Sequence, residues 1–332
     1  MKLIAFGVRK DEVPFFKEWS NQNKCQVKLI HELLSEQNID QVKGFDGVIG
    51  LQTTPYTCEY FKTLKNFGVK ILSIRNVGID NIDLQAAKDN QIAITNVPAY
   101  SPSAIAEFTL TQMLQLIRHI KQFNEKMSRQ DFRWEPYISR QLNEMTVGVM
   151  GTGRIGREVV KLVQGFGAKV VAVDPYHNQE LEKQGIYVDS YDELYRKADV
   201  ITLHMPATKD NFHLLDADAF NKMNKGVLII NTARGTLIDS KALIHALDNQ
   251  QVAGAALDTY EHELPIFDHD LHGKEIDDPI FNNLNARDNV LITPHIAFYT
   301  DMAVKNMVEV ALNCAKTYLE TGKQQNPVIT VK

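Results

Sequence analysis

Short apolar runs alternate with stretches of helical periodicity along the whole chain. Near the start, KLIAFGV, QVKLI, FDGVIGL, KILSIRN and QIAITNV read as strands, with amphipathic segments between most of them. Continuous apolar runs of strand length, separated by helical patterns, predict a parallel sheet with helices on its faces. The alternation restarts at Thr146 with TVGVM, KVVAV, IYV, DVITLH, GVLIIN, VAGAALD and NVLITP. Those seven runs predict a second doubly wound sheet.

Between the two series stands Tyr100-Ser101-Pro102-Ser103. Proline is favoured in the first turn of a helix, with serine as a cap before it. The following AIAEFTLTQMLQLIRHI is apolar on nearly every face, so it is expected to be buried on several sides. We read it as the crossover between two domains and a subunit contact; the alternative is a core helix inside one domain. After His295 a long amphipathic stretch, Asp301 to Leu319, ends at Thr321-Gly322 and leads to an extended tail, NPVITV. The second sheet is complete by then, so the tail is expected to return to the first. The expected organisation is a discontinuous first domain, 1–100 with 300–332, and a second domain, 101–299.

A chain of 332 residues exceeds the size at which single cores stop growing, which supports two domains. With 44% hydrophobic and 23% charged residues the composition is that of a soluble globular protein. The formal net charge of -5 argues against a nucleic acid or an anionic membrane held by bulk electrostatics. Cys25, Cys58 and Cys314 are few, odd in number and far apart, as in a reduced, cytoplasmic protein. The opening MKLIAFGVRKDE has too short an apolar run for a signal peptide, and no run approaches the roughly 18 residues of a membrane span.

The chemistry begins at GTGRIG. Gly151, Gly153 and Gly156 follow a predicted strand, open a predicted helix and lead to a second strand that ends in Asp174. A lone GxGxxG is weak, but this context meets every requirement of a dinucleotide fingerprint. Gly151 permits the tight turn, Gly153 lets backbone approach a pyrophosphate, and Gly156 lets helix pack on strand. The N–H groups around Arg154 and Ile155 then face the phosphates. Asp174 would accept hydrogen bonds from the adenosine ribose and repel a 2′-phosphate. The following Pro175-Tyr176-His177 offers no arginine to hold one, so NAD is expected over NADP.

In an open parallel sheet, ligands bind beyond the carboxyl ends of the strands. Those ends carry His204-Met205-Pro206, then Thr232-Ala233-Arg234, then Asp258 with Glu261, His262 and Glu263 beyond it, and finally His295. An arginine, a carboxylate and a histidine thus converge beside the nicotinamide. Reduction of a 2-keto acid needs these types. Arginine holds a carboxylate through two parallel hydrogen bonds. Histidine delivers a proton to the carbonyl oxygen near neutral pH. A carboxylate behind it fixes its orientation and favours its charged form. Spacing alone does not separate Glu261 from Glu263. Gly235, directly after Arg234, reads as leaving room around the guanidinium.

GTGRIG, NTARGTLID, the Asp258-to-Glu263 segment and TPHIAFY resemble the D-2-hydroxyacid dehydrogenases, in particular the bacterial D-lactate and D-2-hydroxyisocaproate branch. The resemblance runs over nearly the whole chain, including RNVGIDNID and NVPAYSPSAIAEF. It implies an α/β fold of two doubly wound parallel-sheet domains, one a Rossmann-type NAD domain and one a flavodoxin-like substrate domain, with a cleft between them that closes on substrate, and a homodimer. It makes Arg234 the carboxylate binder, Glu263 the partner of the histidine and His295 the acid/base. It implies that the amides of Val77 and Gly78 help hold the same carboxylate, and that Leu51, Tyr100 and Tyr299 line the substrate pocket. NAD contacts map to Met205, Pro206, Asn211, Thr232, Ala233 and Asp258. At the position of Leu51 lactate-preferring members of the family tend to carry an aromatic ring, and members acting on larger branched acids carry leucine. That points to 2-ketoisocaproate-like substrates over pyruvate, by a margin of about 10- to 200-fold for one or two methylenes. The alternative is pyruvate reduction to D-lactate.

Several features are read as structural. The loop from His262 to His272 crowds histidines and aspartates, but its spacing is not that of a zinc site and no metal is expected. His204 is read as a structural histidine. Arg9 and Arg75 are rival carboxylate binders. Two other functions compete: a dinucleotide-sensing protein without turnover, and a formate or phosphoglycerate dehydrogenase. The intact Arg234, Glu263 and His295 set argues against the first. Glutamate rather than glutamine beside the histidine argues against a formate enzyme, and the lack of extra basic residues or a regulatory domain against a phosphoglycerate enzyme.

Overall fold

A computed structural model describes residues 1–51, 55–79 and 81–329. The chain forms two compact units, Met1–Ser101 with the segment from Tyr299 onward, and Pro102–Phe298. Strands β1 (Leu3–Ala5), β2 (Val27–Leu29), β3 (Gly47–Gly50), β4 (Ile71–Ile74) and β5 (Ala93–Thr95) belong to the first unit. Strands β6 (Thr146–Met150), β7 (Lys169–Val173), β8 (Val200–Leu203), β9 (Val227–Asn231), β10 (Val252–Leu257) and β11 (Val290–Ile292) belong to the second, and β12 (Pro327–Ile329) to the first.

The first sheet runs β12-β5-β4-β3-β1-β2. Its pairs are parallel except that β12 lies antiparallel to β5 at the edge. Side chains of a strand alternate between the two faces. Ile4 and Phe6 therefore enter one core with Val48, Phe61 and Leu72. Leu3 and Ala5 enter the other with Ile49, Phe16 and Trp19. Both faces are dry, which explains why the strands read as unbroken apolar runs. The helix Asp301–Thr321 covers the second face through Val308, Ala311 and Leu312.

The second sheet runs β11-β10-β9-β8-β6-β7, all parallel. β7 and β8 flank β6 on opposite sides, so the winding reverses at β6, where a crevice for ligand is expected. One predicted strand does not form. IYV, Ile186 to Val188, makes only a bridge between Tyr187 and Ala172 of β7. Gly185, at φ +67°, turns the chain in, and Ser190 already caps the next helix, Tyr191–Lys197. Too few residues remain for a ladder.

The helix Pro102–Ile117 packs within the second unit. Ala106, Leu110, Met113, Leu116 and Ile117 share a core with Val159, Val160 and Val163 of the helix Arg154–Gly165. Its polar Thr109 bonds Thr232 at 2.9 Å, and its Gln112 donates to Thr293 at 3.1 Å. Each contact reaches the segment following a strand, so the helix braces two site loops from below.

Candidate active site

The glycine turn after β6 behaves as its residue types require. Gly151 has φ +91°, and a Cβ there would lie 2.8 Å from the carbonyl oxygen of His204. A Cβ on Gly156 would lie 2.0 Å from the carbonyl oxygen of Gly151, so only glycine lets the helix start this close to the turn. Gly153 caps the helix Arg154–Gly165, and a Cβ there would meet nothing within 4 Å. It leaves an open cradle at the N-terminus of the helix that begins Arg154-Ile155, where first-turn N–H groups face outward along the helix axis. The cradle suits a pyrophosphate. Asp174, just past β7, turns back toward it. Its Oδ2 accepts from the Thr152 N–H at 2.6 Å and from Thr152 Oγ1 at 3.2 Å, and its Oδ1 accepts from the Tyr176 N–H at 2.7 Å.

The end of β8 supplies a histidine with no acid/base role. The Nε2 of His204 lies 2.9 Å from Thr202 Oγ1, and its Nδ1 is buried with no partner. Burial pushes its pKa down to about 3, so the ring is neutral near pH 7. Met205 packs on the core of the second unit. The side chain of Asn211 closes its own turn, accepting from the Thr208 N–H at 2.7 Å and donating to the Pro206 carbonyl at 2.9 Å.

After β9, Asn231 organises the turn that presents Arg234. Its Oδ1 accepts from the Ala233 N–H at 3.0 Å, and its Nδ2 donates to the Arg234 carbonyl at 2.9 Å. Arg234 itself is extended, with Nη1 donating to the Ala233 carbonyl at 2.8 Å. Gly235 does not make room for the guanidinium. A Cβ on it would lie 2.1 Å from the carbonyl carbon of Tyr260, so glycine is needed because the chain after β10 passes against it.

That passing chain carries the acids. Glu261 is already engaged: it accepts from His213 Nε2 at 2.9 Å and from the Ser240 N–H at 3.2 Å. Glu263 folds back so that its Oε2 accepts from the Tyr260 N–H at 2.9 Å, while its Oε1 meets His295 Nδ1 at 2.8 Å. The ambiguity between the two glutamates is thus resolved in the fold: Glu263 is the partner of His295.

Asp258, only 1% exposed, shapes the loop that holds His295. Its Oδ1 accepts from Thr293 Oγ1 at 2.6 Å and the Ile296 N–H at 3.0 Å, and its Oδ2 from the Ala297 N–H at 2.8 Å. Burial raises its pKa and those three bonds oppose the rise. The His295 N–H donates to the Asp258 and Thr293 carbonyls, both at 2.9 Å, and His295 sits at φ +56°, in the left-handed region. Sequence reading missed Asp258 as an organiser of this loop, and missed Thr109, Thr293 and His213 altogether. A buried carboxylate at a strand end was the one available signal.

In the first unit the rival arginines are accounted for. Arg75 is fully buried and donates to Glu12 at 3.0 and 3.2 Å and to the Phe6 and Gly7 carbonyls at 3.1 and 2.8 Å. No substrate carboxylate reaches it. Arg9 pairs with Asp11, Nη2 to Oδ2 at 3.1 Å, and lies over the Tyr299 ring at 5.7 Å. Leu51 is half-buried and its carbonyl accepts from the Tyr56 hydroxyl at 3.1 Å. Val77 is exposed and its carbonyl accepts from Asn96 Nδ2 at 2.8 Å, and the Gly78 carbonyl accepts from Asn76 Nδ2 at 3.5 Å. The Tyr100 carbonyl accepts from Asn306 Nδ2 at 2.7 Å. Among the described residues no cluster of three or more metal-ligating side chains occurs.

The chain is similar to known proteins. Residues 110–297 match the family described as D-isomer specific 2-hydroxyacid dehydrogenase, NAD binding domain. A D-lactate dehydrogenase of Lactiplantibacillus plantarum is 58% identical over 329 residues, 99% of both chains. The solved structure of D-2-hydroxyisocaproate dehydrogenase superposes with a TM-score of 0.91 at 42% identity, over 99% of each chain. The NAD-complexed D-isomer specific 2-hydroxyacid dehydrogenase of Lactobacillus delbrueckii ssp. bulgaricus gives 0.88 at 33% identity, over 99% of this chain and 100% of that one.

Proposed function

Because the chain belongs to the D-isomer-specific 2-hydroxyacid dehydrogenases, an NAD-dependent oxidoreductase family, we propose that it reduces pyruvate to D-lactate, and oxidises D-lactate in reverse, with Arg234, Glu263 and His295 as the reacting site. The observation that carries the site is the Glu263–His295 pair at 2.8 Å. The observation that favours pyruvate is the 58% identity to a D-lactate dehydrogenase across the whole chain.

NAD supplies the hydride acceptor or donor when bound. The Gly151–Gly156 turn with Arg154 and Ile155 cradles its pyrophosphate, and Asp174 takes the adenosine ribose. Met205, Pro206, Asn211, Thr232, Ala233 and Asp258 complete its contacts. Arg234 grips the substrate carboxylate. An ionised carboxylate only accepts hydrogen bonds, so the proton in the His295–Glu263 bond sits on Nδ1. That leaves Nε2 as the atom that moves the catalytic proton. In reduction Nε2–H gives its proton to the carbonyl oxygen, and in oxidation the neutral Nε2 takes it back from the hydroxyl.

Leu51, with Tyr100 and Tyr299, favours a second reading in which the side-chain pocket admits larger aliphatic keto acids. Steady-state kinetics with pyruvate and 2-ketoisocaproate, each with NADH and NADPH, decides between them. Higher kcat/KM on pyruvate supports the D-lactate reading, and the reverse order supports the pocket set by Leu51. Turnover of neither would remove the assignment of substrate.

The same reading gives a small-molecule enzyme of the cytoplasm, with no nucleic-acid or membrane partner, that works as a homodimer. A net charge of -5 and three unpaired cysteines fit that setting. The segment after the helix Ile120–Ser128 exposes Phe132, Trp134 and Ile138 at 72, 81 and 94%. Three large apolar side chains so close together are the mark of a covered surface. Trp134→Glu with Ile138→Glu is expected to yield a monomer in sedimentation, and an unchanged mass would rule this segment out as the contact.

A further inference from the structure

Tyr187 lies in the run that fails to become a strand, yet its side chain reaches the cofactor turn. Its hydroxyl is 2.8 Å from Thr152 Oγ1 and accepts from the Asn178 N–H at 2.9 Å. Thr152, 2% exposed, in turn bonds Asp174 through both its N–H and its hydroxyl. The direction of every proton in this chain follows from valence. Asp174 as a carboxylate only accepts, so the single hydroxyl proton of Thr152 points to it. The bond between Tyr187 and Thr152 must then use the tyrosine proton, and the Asn178 N–H fills a lone pair of the tyrosine oxygen. The ring of His177 stacks on Tyr187, 3.9 Å between centroids and 3° between planes, and fixes it from the side.

We infer that Tyr187, acting through Thr152, is a positioning residue for cofactor selectivity: it holds the Asp174 carboxylate in the one orientation that accepts the ribose hydroxyls and excludes a 2′-phosphate. The inference rests on the reading of Asp174 as the ribose carboxylate. Discrimination against a phosphorylated ribose depends on a negative charge that cannot swing aside. The Thr152 N–H and the Tyr176 N–H alone leave Asp174 one donor per oxygen. The oriented hydroxyl adds a third bond, on the oxygen nearest the glycine turn. Without Tyr187 the Thr152 hydroxyl loses the donor that sets its rotor, and the Asn178 N–H loses its acceptor.

The test is the ratio of kcat/KM for NADH to that for NADPH, with melting temperatures alongside, for Tyr187→Phe, Thr152→Val, Thr152→Ser and Asp174→Ala. Loss of one neutral hydrogen bond corresponds to roughly a two- to tenfold change. The ratio is expected to fall about that much in Tyr187→Phe, and at least that much in Thr152→Val, which deletes a bond to a carboxylate, through KM rather than kcat. Thr152→Ser, which keeps the hydroxyl, should retain the native ratio, and Asp174→Ala should show the largest fall. Thr152→Val serves as the test if Tyr187→Phe folds poorly. A native ratio in both Tyr187→Phe and Thr152→Val, with a collapsed ratio in Asp174→Ala, overturns the brace and leaves the Asp174 reading standing. A native ratio in Asp174→Ala overturns both.

Discussion

His295 and Glu263 meet at 2.8 Å, although 32 residues separate them and the histidine sits in left-handed backbone. The conformation is held by the two backbone bonds that the His295 N–H makes to Asp258 and Thr293. Glu261, two residues before Glu263, is turned away to His213 and Ser240. The two glutamates should therefore respond differently. Glu263→Gln is expected to lower kcat by about 10- to 1,000-fold, since it removes the charge that orients and supports the acid/base. Glu261→Gln should stay within about threefold of native. Equal losses in the two variants would dissolve the pairing.

Arg234 should separate substrate from cofactor. Removing one partner of a desolvated charge pair costs about 2–5 kcal/mol, which is roughly 30- to several-thousand-fold in kcat/KM. Arg234→Gln is expected to lose that much toward the keto acid, while the NADH Kd, read by fluorescence titration, changes little. A parallel loss of NADH affinity would assign the guanidinium to the cofactor.

The sequence carried much of this because the two-sided burial of both sheets leaves long apolar runs, and because GTGRIG is a local device. Pairings across distance were less legible. Arg75 reads as a strand-end cation like Arg234, but Glu12, 63 residues earlier, consumes it inside the first unit. Gly235 looks like space for a ligand, and only the fold brings the Tyr260 backbone against it. IYV has strand composition, and lacks the flanking length to make a ladder. Glu261 and Glu263 differ only in which way a tight backbone turn points them, which periodicity does not encode.

His204 gives a pH signature. Its folded pKa is lowered to about 3 by burial, against about 6.5 in an unfolded chain. Below about pH 6.5 the unfolded state gains a proton that the native state refuses. The histidine therefore contributes no penalty above that pH and destabilises progressively as pH falls from about 6.5 toward 3. Between pH 6.5 and 5 the loss should be on the order of 1 kcal/mol. His204→Gln should flatten this part of the melting-temperature curve relative to native protein. Parallel curves for the two proteins would show that the ring takes up a proton without cost.

Two glycines, one beyond the end of β6 and one beyond the end of β9, should fail in opposite ways. Gly153 faces open space, so an added methyl meets no protein atom within 4 Å. Gly153→Ala is expected to keep its melting temperature and raise the KM for NADH, because the methyl occupies the cradle where backbone must approach the pyrophosphate. At Gly235 the same methyl would fall 2.1 Å from the Tyr260 carbonyl carbon and 2.3 Å from the Glu261 nitrogen, with no flexible side chain to give way. The backbone must part, and the part that moves carries Arg234 on one side and Glu263 on the other. Overpacking of this kind typically costs about 1–3 kcal/mol. Gly235→Ala should therefore lower the melting temperature and also depress kcat, since the guanidinium and the carboxylate that orients His295 are displaced together. The KM for NADH should change less than in Gly153→Ala. Thermal melts and NADH titrations on both variants check the contrast, and a Gly235→Ala enzyme with native stability and kcat would mean that the two segments are not coupled through this contact.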